Sequence, residues 1–169
     1  MPVAASITAA AILDALAFAR ISHVAMVPDT AQLTVLDALE RRGGPPVIRC
    51  AAEDDVFGVC AGLWMAGHRP LALVQQLGLF AGANALRGLV HDQGVALAVL
   101  AALYGRDVGL PVAADPASAV RLCPPLLDAL ELDWTLVEGP SDARGIGPLL
   151  AAALDEGRAR VVLLGAPTA

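Results

Sequence analysis

Three consecutive carboxylates, Glu53-Asp54-Asp55, stand at the head of the apolar stretch Val56-Phe57-Gly58-Val59-Cys60-Ala61-Gly62. A helix that begins there places all three where its dipole favours negative charge. For Asp54 and Asp55 that electrostatic role is sufficient. Glu53 differs because of the apolar segment it introduces. A helix apolar on every side is a buried helix, and Gly58 and Gly62, four residues apart, permit close approach to a neighbour. A carboxylate heading such a helix loses water, its pKa rises, and it can share a proton with a ligand nitrogen. Glu53 is therefore the candidate chemical centre.

Other chemistry-bearing residues occur in short polar breaks between apolar runs. Pro28-Asp29-Thr30 reads as a turn with Thr30 as a helix N-cap. Gln75-Gln76-Leu77-Gly78-Leu79-Phe80-Ala81-Gly82-Ala83-Asn84 reads as a strand end, a glycine turn and a helix start. It is not GxGxxG, so the dinucleotide fingerprint fails. Its glycines allow a flat ligand to come close. Asn84 is expected to satisfy a neighbouring backbone group, and Tyr104-Gly105-Arg106 to form a solvated loop. Trp64 and Trp134 read as core or interface residues.

Composition removes several classes of chemistry. The 169-residue chain has a net charge of −6, which gives little attraction for nucleic acid or an anionic membrane. All 11 basic residues are Arg. Without Lys there is neither Schiff-base chemistry nor a Walker-type phosphate loop. Cys50, Cys60 and Cys123 lack CxxC spacing and read as reduced, small hydrophobes. His23, His68 and His91 are dispersed, so no metal site is expected from this chain alone. The chain is 57% hydrophobic, yet no uncharged apolar run reaches the roughly 18–20 residues of a membrane span. The apolar start has no basic region and is interrupted by Asp14, unlike a signal peptide. Ile12, Leu16 and Ile21 suit an amphipathic first helix, and the protein reads as cytoplasmic.

The elements that must position Glu53 emerge from the apolar periodicity. Helices are expected over residues 6–20, from Thr30 to the basic-then-glycine stop Arg41-Arg42-Gly43-Gly44, over Glu53–Ala66, over Gly78–His91, over Ala117–Leu130 with a break near Pro124-Pro125, and over Ala143–Glu156. Strands are expected at His23–Val27, Val47–Cys50, Pro70–Gln75, Val95–Leu103, Trp134–Val137 and Arg160–Leu164, with residues 106–116 as the one long loop. This alternation predicts a single doubly wound α/β domain over residues 1–169. Its largely parallel six-stranded sheet would carry helices on both faces. Ligands of such folds sit beyond the strand carboxyl ends. Those ends are the loops that hold Asp29, Glu53, Gln76 and Tyr104.

Together, Val27-Pro28-Asp29-Thr30, Glu53 with Gly58-Val59-Cys60-Ala61-Gly62, Ala66-Gly67-His68-Arg69-Pro70, Gln75-Gln76-Leu77-Gly78-Leu79 and Asn84-Ala85-Leu86 resemble the pyrimidine-binding domain of thiamine diphosphate enzymes. The resemblance is strongest to the α subunit of sulfopyruvate decarboxylase and the matching half of phosphonopyruvate decarboxylase. It runs through most of residues 22–106. It implies that Glu53 hydrogen-bonds N1′ of the cofactor's aminopyrimidine. It also implies that Pro28, Gln76, Gly78 and Leu79 line the cofactor, and that Asp29, Thr30 and Gln76 meet a small 2-oxo acid. The cofactor would be the electron sink for loss of CO2.

Two departures from the family pattern bear on the substrate. The family's Gln-Asn-Ser-Gly-Leu-Gly turn is here Gln75-Gln76-Leu77-Gly78-Leu79-Phe80, bulkier and less polar. A Trp-Arg-Gly-like turn is here Tyr104-Gly105-Arg106. The family's Gly-Asp-Gly…Asn motif for diphosphate and Mg2+ does not occur. Mg2+ needs carboxylate and phosphate oxygens. The resemblance therefore implies a separate diphosphate-binding β subunit, an active site between chains, and assembly into a hetero-oligomer. The alternatives are another thiamine-dependent lyase or carboligase subunit, or a catalytically silent binding or regulatory module on the same scaffold.

Overall fold

Short runs of Val, Leu and Ala alternate along the chain with helical segments, and a strand that is apolar on both faces must be covered on both. The computed structural model, which describes residues 6–169, has this arrangement. Its elements in chain order are α1 (Ala9–Phe18), β1 (His23–Met26), α2 (Leu33–Arg42), β2 (Val47–Arg49), α3 (Glu53–Met65), β3 (Pro70–Gln75), α4 (Gln76–Ala81), α5 (Ala83–Arg87), β4 (Ala98–Ala102), α6 (Ser118–Arg121), α7 (Cys123–Ala129), β5 (Asp133–Val137), α8 (Pro140–Ala143), α9 (Ile146–Asp155) and β6 (Arg160–Leu164). The apolar start extends into residues 1–5, which lie outside the described residues.

The six strands form one sheet in the order β2-β1-β3-β4-β6-β5, and every pairing is parallel. The doubly wound expectation therefore holds. Successive strand residues serve opposite cores. Val24, Met26, Leu71, Leu73 and Leu100 face α1, α2 and α9. Ala25, Ala72, Val74, Val99 and Ala101 face α3, α4 and α7. The chain leaves β1 for one face and leaves β2 and β3 for the other. The switch point, where a doubly wound sheet opens a crevice, is thus at the carboxyl ends of β1 and its neighbours.

Several boundaries differ from those expected on sequence. Ile7 forms a parallel bridge with Thr168, so the first helix begins only at Ala9, capped by Thr8. Asp29 rather than Thr30 is the N-cap, and it heads a 3-10 turn, Thr30–Gln32, ahead of α2. The helix expected from Gly78 to His91 begins directly at Gln76, breaks at Gly82, and ends as a π-turn over Gly88–Asp92. The helix expected from Ala143 is split at Arg144-Gly145 between α8 and α9. No described helix is long and apolar enough to cross a membrane.

Candidate functional site

Glu53 opens α3 directly after β2, with Ala52 as a cap whose side chain cannot bond the free amides. The Glu53 side chain is half-buried. Among the described residues its carboxylate has no hydrogen bond and no ion pair. A Cβ built on Gly78 would lie 2.6 Å from Glu53 Cγ, so any larger residue would displace this side chain. One helical turn on, a Cβ on Gly82 would lie 2.4 Å from the Phe57 ring. The close approach therefore comes from the glycines of α4, not from those of α3. Gly58 and Gly62 are not enclosed, and a Cβ added at either would meet nothing within 4 Å. Helix α3 is buried along Val56, Phe57, Cys60 and Ala61 alone, which corrects the expectation that it is enclosed on all sides. Asp54 and Asp55 are exposed at its head.

Asp29 stands at the end of β1, the strand beside β2. Its Oδ1 accepts the Gln32 amide at 3.0 Å. Burial raises the Asp29 pKa above the ordinary carboxylate range. Hydrogen bonds from the Gln32 and Ala31 amides oppose that rise, and the nearby charge of Glu53 adds to it. Gln32, which is not among the sequence candidates, is fully enclosed. Its Nε2 donates to the Val74 carbonyl at 2.7 Å, and its Oε1 has no protein partner. No local signal marks Gln32, because its partner lies 42 residues away.

Gln76 is only 2% exposed. Its Nε2 donates to the Tyr104 carbonyl at 2.7 Å and its Oε1 accepts the Tyr104 amide at 2.8 Å, which ties the end of β3 to the end of β4. Leu79 is in the core on the α3 face. Pro28 and Thr30 are exposed at the rim, beside Asp29. Asn84 serves no backbone group, as its Oδ1 instead accepts from the Arg87 guanidinium at 3.4 Å. Trp64 and Trp134 are both half-buried.

The expectation of a solvated loop fails at Arg106. Its side chain is 2% exposed. Nε and Nη2 donate to Glu138 Oε1 at 3.0 and 2.7 Å, and Nη2 also donates to the Leu110 carbonyl at 2.7 Å. Nη1 donates to Asp115 Oδ2 at 3.1 Å and to the Asp107 carbonyl. All five guanidinium donors are occupied. Asp115 is completely enclosed and also accepts the Asp107 and Ala117 amides, both at 2.9 Å. Burial pushes the Asp115 pKa up, but these amides and Arg106 outweigh it, so the carboxyl is held below its ordinary value.

A cleft of about 370 Å3 is bordered by Thr30 and Thr34, by Leu103 to Arg106, and by Leu164 and Thr168. Its size suits a small ligand. Among the described residues no cluster of His, Cys, Asp and Glu could hold a metal ion.

No protein-family model matches the chain. Part of it is similar to sulfopyruvate decarboxylase of Methanosarcina acetivorans, at 37% identity over 60 residues. Those residues make up 36% of this chain and span 16% of that protein. The chain thus has a local likeness to a decarboxylase, in line with the resemblance read from its motifs.

Proposed function

We propose that this chain is the pyrimidine-binding part of a thiamine-diphosphate-dependent 2-oxo acid decarboxylase whose diphosphate-binding part is a second polypeptide. The observation that carries the reading is the half-buried Glu53 carboxylate, which lacks a protein partner among the described residues and packs closely against Gly78. Such a cradle suits a flat heteroaromatic ring that offers a nitrogen acceptor to a protonated carboxyl group. When bound, the cofactor supplies the electron sink for loss of CO2.

The chain's own residues then divide the work. Glu53 holds a proton at the ring nitrogen. Gly78 lets the Glu53 side chain pack close against the turn into α4, and Pro28 lines the ring. Gln76 and Leu79 fix the turn from β3 into α4 from behind, rather than touching the ligand. Asp29 and Thr30 stand at the rim, where the 2-oxo acid would react. The diphosphate and its Mg2+ belong to the partner.

The test is co-expression with the product of the adjacent gene, followed by measurement of thiamine diphosphate affinity and of cofactor C2–H exchange. The complex should bind the cofactor. Glu53→Gln should abolish exchange while leaving assembly and Tm unchanged. An exchange rate unaffected by Glu53→Gln would refute the role assigned to this residue.

A further inference from the structure

The cleft bordered by Thr30 bears on which 2-oxo acids the proposed site would accept. Arg106 is the one charged side chain that borders it among the described residues. An anionic substrate tail would have to take donors from this guanidinium, yet all of them are bound, to two carboxylates and two carbonyls. Drawing its Nη1 away from Asp115 would strip an enclosed carboxylate of its cation, which costs more than a typical hydrogen bond returns. The local charge also disfavours an added anion. Asp115 and Glu138 together outnumber Arg106.

Two of the cleft's three threonine hydroxyls are spent as well. Thr34 Oγ1 donates to Thr168 Oγ1 at 2.6 Å, and Thr168 donates to the Ala31 carbonyl at 3.2 Å. What remains free to meet a ligand is uncharged: the Thr30 hydroxyl, the Tyr104 ring with its phenol, and Val108. Tyr104 is 57% exposed and Val108 is 39% exposed on the cleft wall.

We propose that this cleft receives the uncharged side chain of a 2-oxo acid and discriminates against a sulfonate or phosphonate tail. The inference rests on the decarboxylase reading of Glu53, and it gives the site a substrate class different from that of sulfopyruvate decarboxylase.

The experiment compares kcat/KM of the reconstituted holoenzyme for 4-methyl-2-oxopentanoate and 2-oxobutanoate with that for 3-sulfopyruvate and 3-phosphonopyruvate. The uncharged acids should be preferred at least about tenfold, the size of effect one well-placed group commonly has on specificity. Val108→Arg, which adds a free cation to the wall, should shift the ratio toward 3-sulfopyruvate without changing cofactor affinity. Preference of the wild type for either doubly anionic acid overturns the proposal, as does turnover of neither uncharged acid. If Glu53→Gln still abolishes C2–H exchange in those cases, the decarboxylase reading survives and only the substrate class is lost. If exchange is unaffected, both are lost.

Discussion

At Arg106 every donor has an acceptor, whereas at Glu53, across the same carboxyl edge of the sheet, neither carboxylate oxygen has a protein donor among the described residues. Both regions are acidic and both lie just past a strand end. They differ in whether the protein or something else completes them. The Arg106–Asp115–Glu138 cluster joins the loop after β4 to the segment after β5, and its groups are satisfied within the fold. Glu53 and Asp29 face one another's charge at the switch point, and the buried Gln32 Oε1 nearby is unpaired. A folded chain bears such costs where ligands bind and removes them where only structure is required.

If that contrast is right, breaking the closed cluster should damage stability most. Arg106→Ala leaves Asp115 and Glu138 without their cation and Leu110 without a donor. Loss of one partner from a buried pair costs about 3 kcal/mol or more. For a chain of this length that is a Tm lower by roughly 6–12 °C, readable by calorimetry. Glu53→Gln, at the open cluster, should move Tm by less than about 1 °C on the same scale. Equal shifts for the two variants would erase the distinction.

The glycines of α4 sharpen the same contrast one turn apart. Ala at Gly82 drives a methyl group into the Phe57 ring, which is fully enclosed and has nowhere to move. Overpacking of that kind costs about 1–3 kcal/mol. Ala at Gly78 meets only the Glu53 side chain, which is half-buried and can swing away. Gly78→Ala should therefore lose cofactor binding and C2–H exchange at a smaller cost in stability than Gly82→Ala. Urea unfolding combined with cofactor titration separates the two effects. A Gly78→Ala variant that binds cofactor normally would show that the cradle is not where the ring sits.

How much of the molecule is legible in its sequence depends on the range of each interaction. The parallel sheet is readable because strands covered on both faces are plain apolar runs, and Pro70–Gln75 and Arg160–Leu164 fall where those runs stand. Glu53 is readable because a carboxylate at the head of an apolar helix is a local feature. The close packing at Gly82 is not, because the Phe57 ring it meets is on another helix. Arg106 reads as solvated because its partners lie 9 and 32 residues away, and nothing in Tyr104-Gly105-Arg106 points to them. The α3 glycines mislead for a similar reason: a small-residue spacing says that close approach is possible, not which helix makes it.

The finest distinction between the two acidic groups is the sign of their response to pH. Burial holds the Asp29 pKa above its ordinary 3.8, so between 3.8 and the raised value the folded chain binds more protons than the unfolded one. Stability then falls as pH rises through that window, and at neutral pH the ionised carboxylate is a net cost. Asp115 is the reverse case. Its pKa lies below 3.8, so its contribution is present above that value and is lost as pH falls through the folded pKa. Asparagine can still cap the turn at position 29. Asp29→Asn should therefore raise the urea midpoint at pH 7, and the gain should vanish once the pH falls below about 3.8, where the carboxyl is protonated in both states. Asp115→Asn should lower the midpoint at pH 7, by an amount that shrinks in acid. The two differences must have opposite signs at pH 7. If both variants lose stability there, Asp29 is an ordinary structural cap and the contrast between an open and a closed acidic group fails at its most sensitive point.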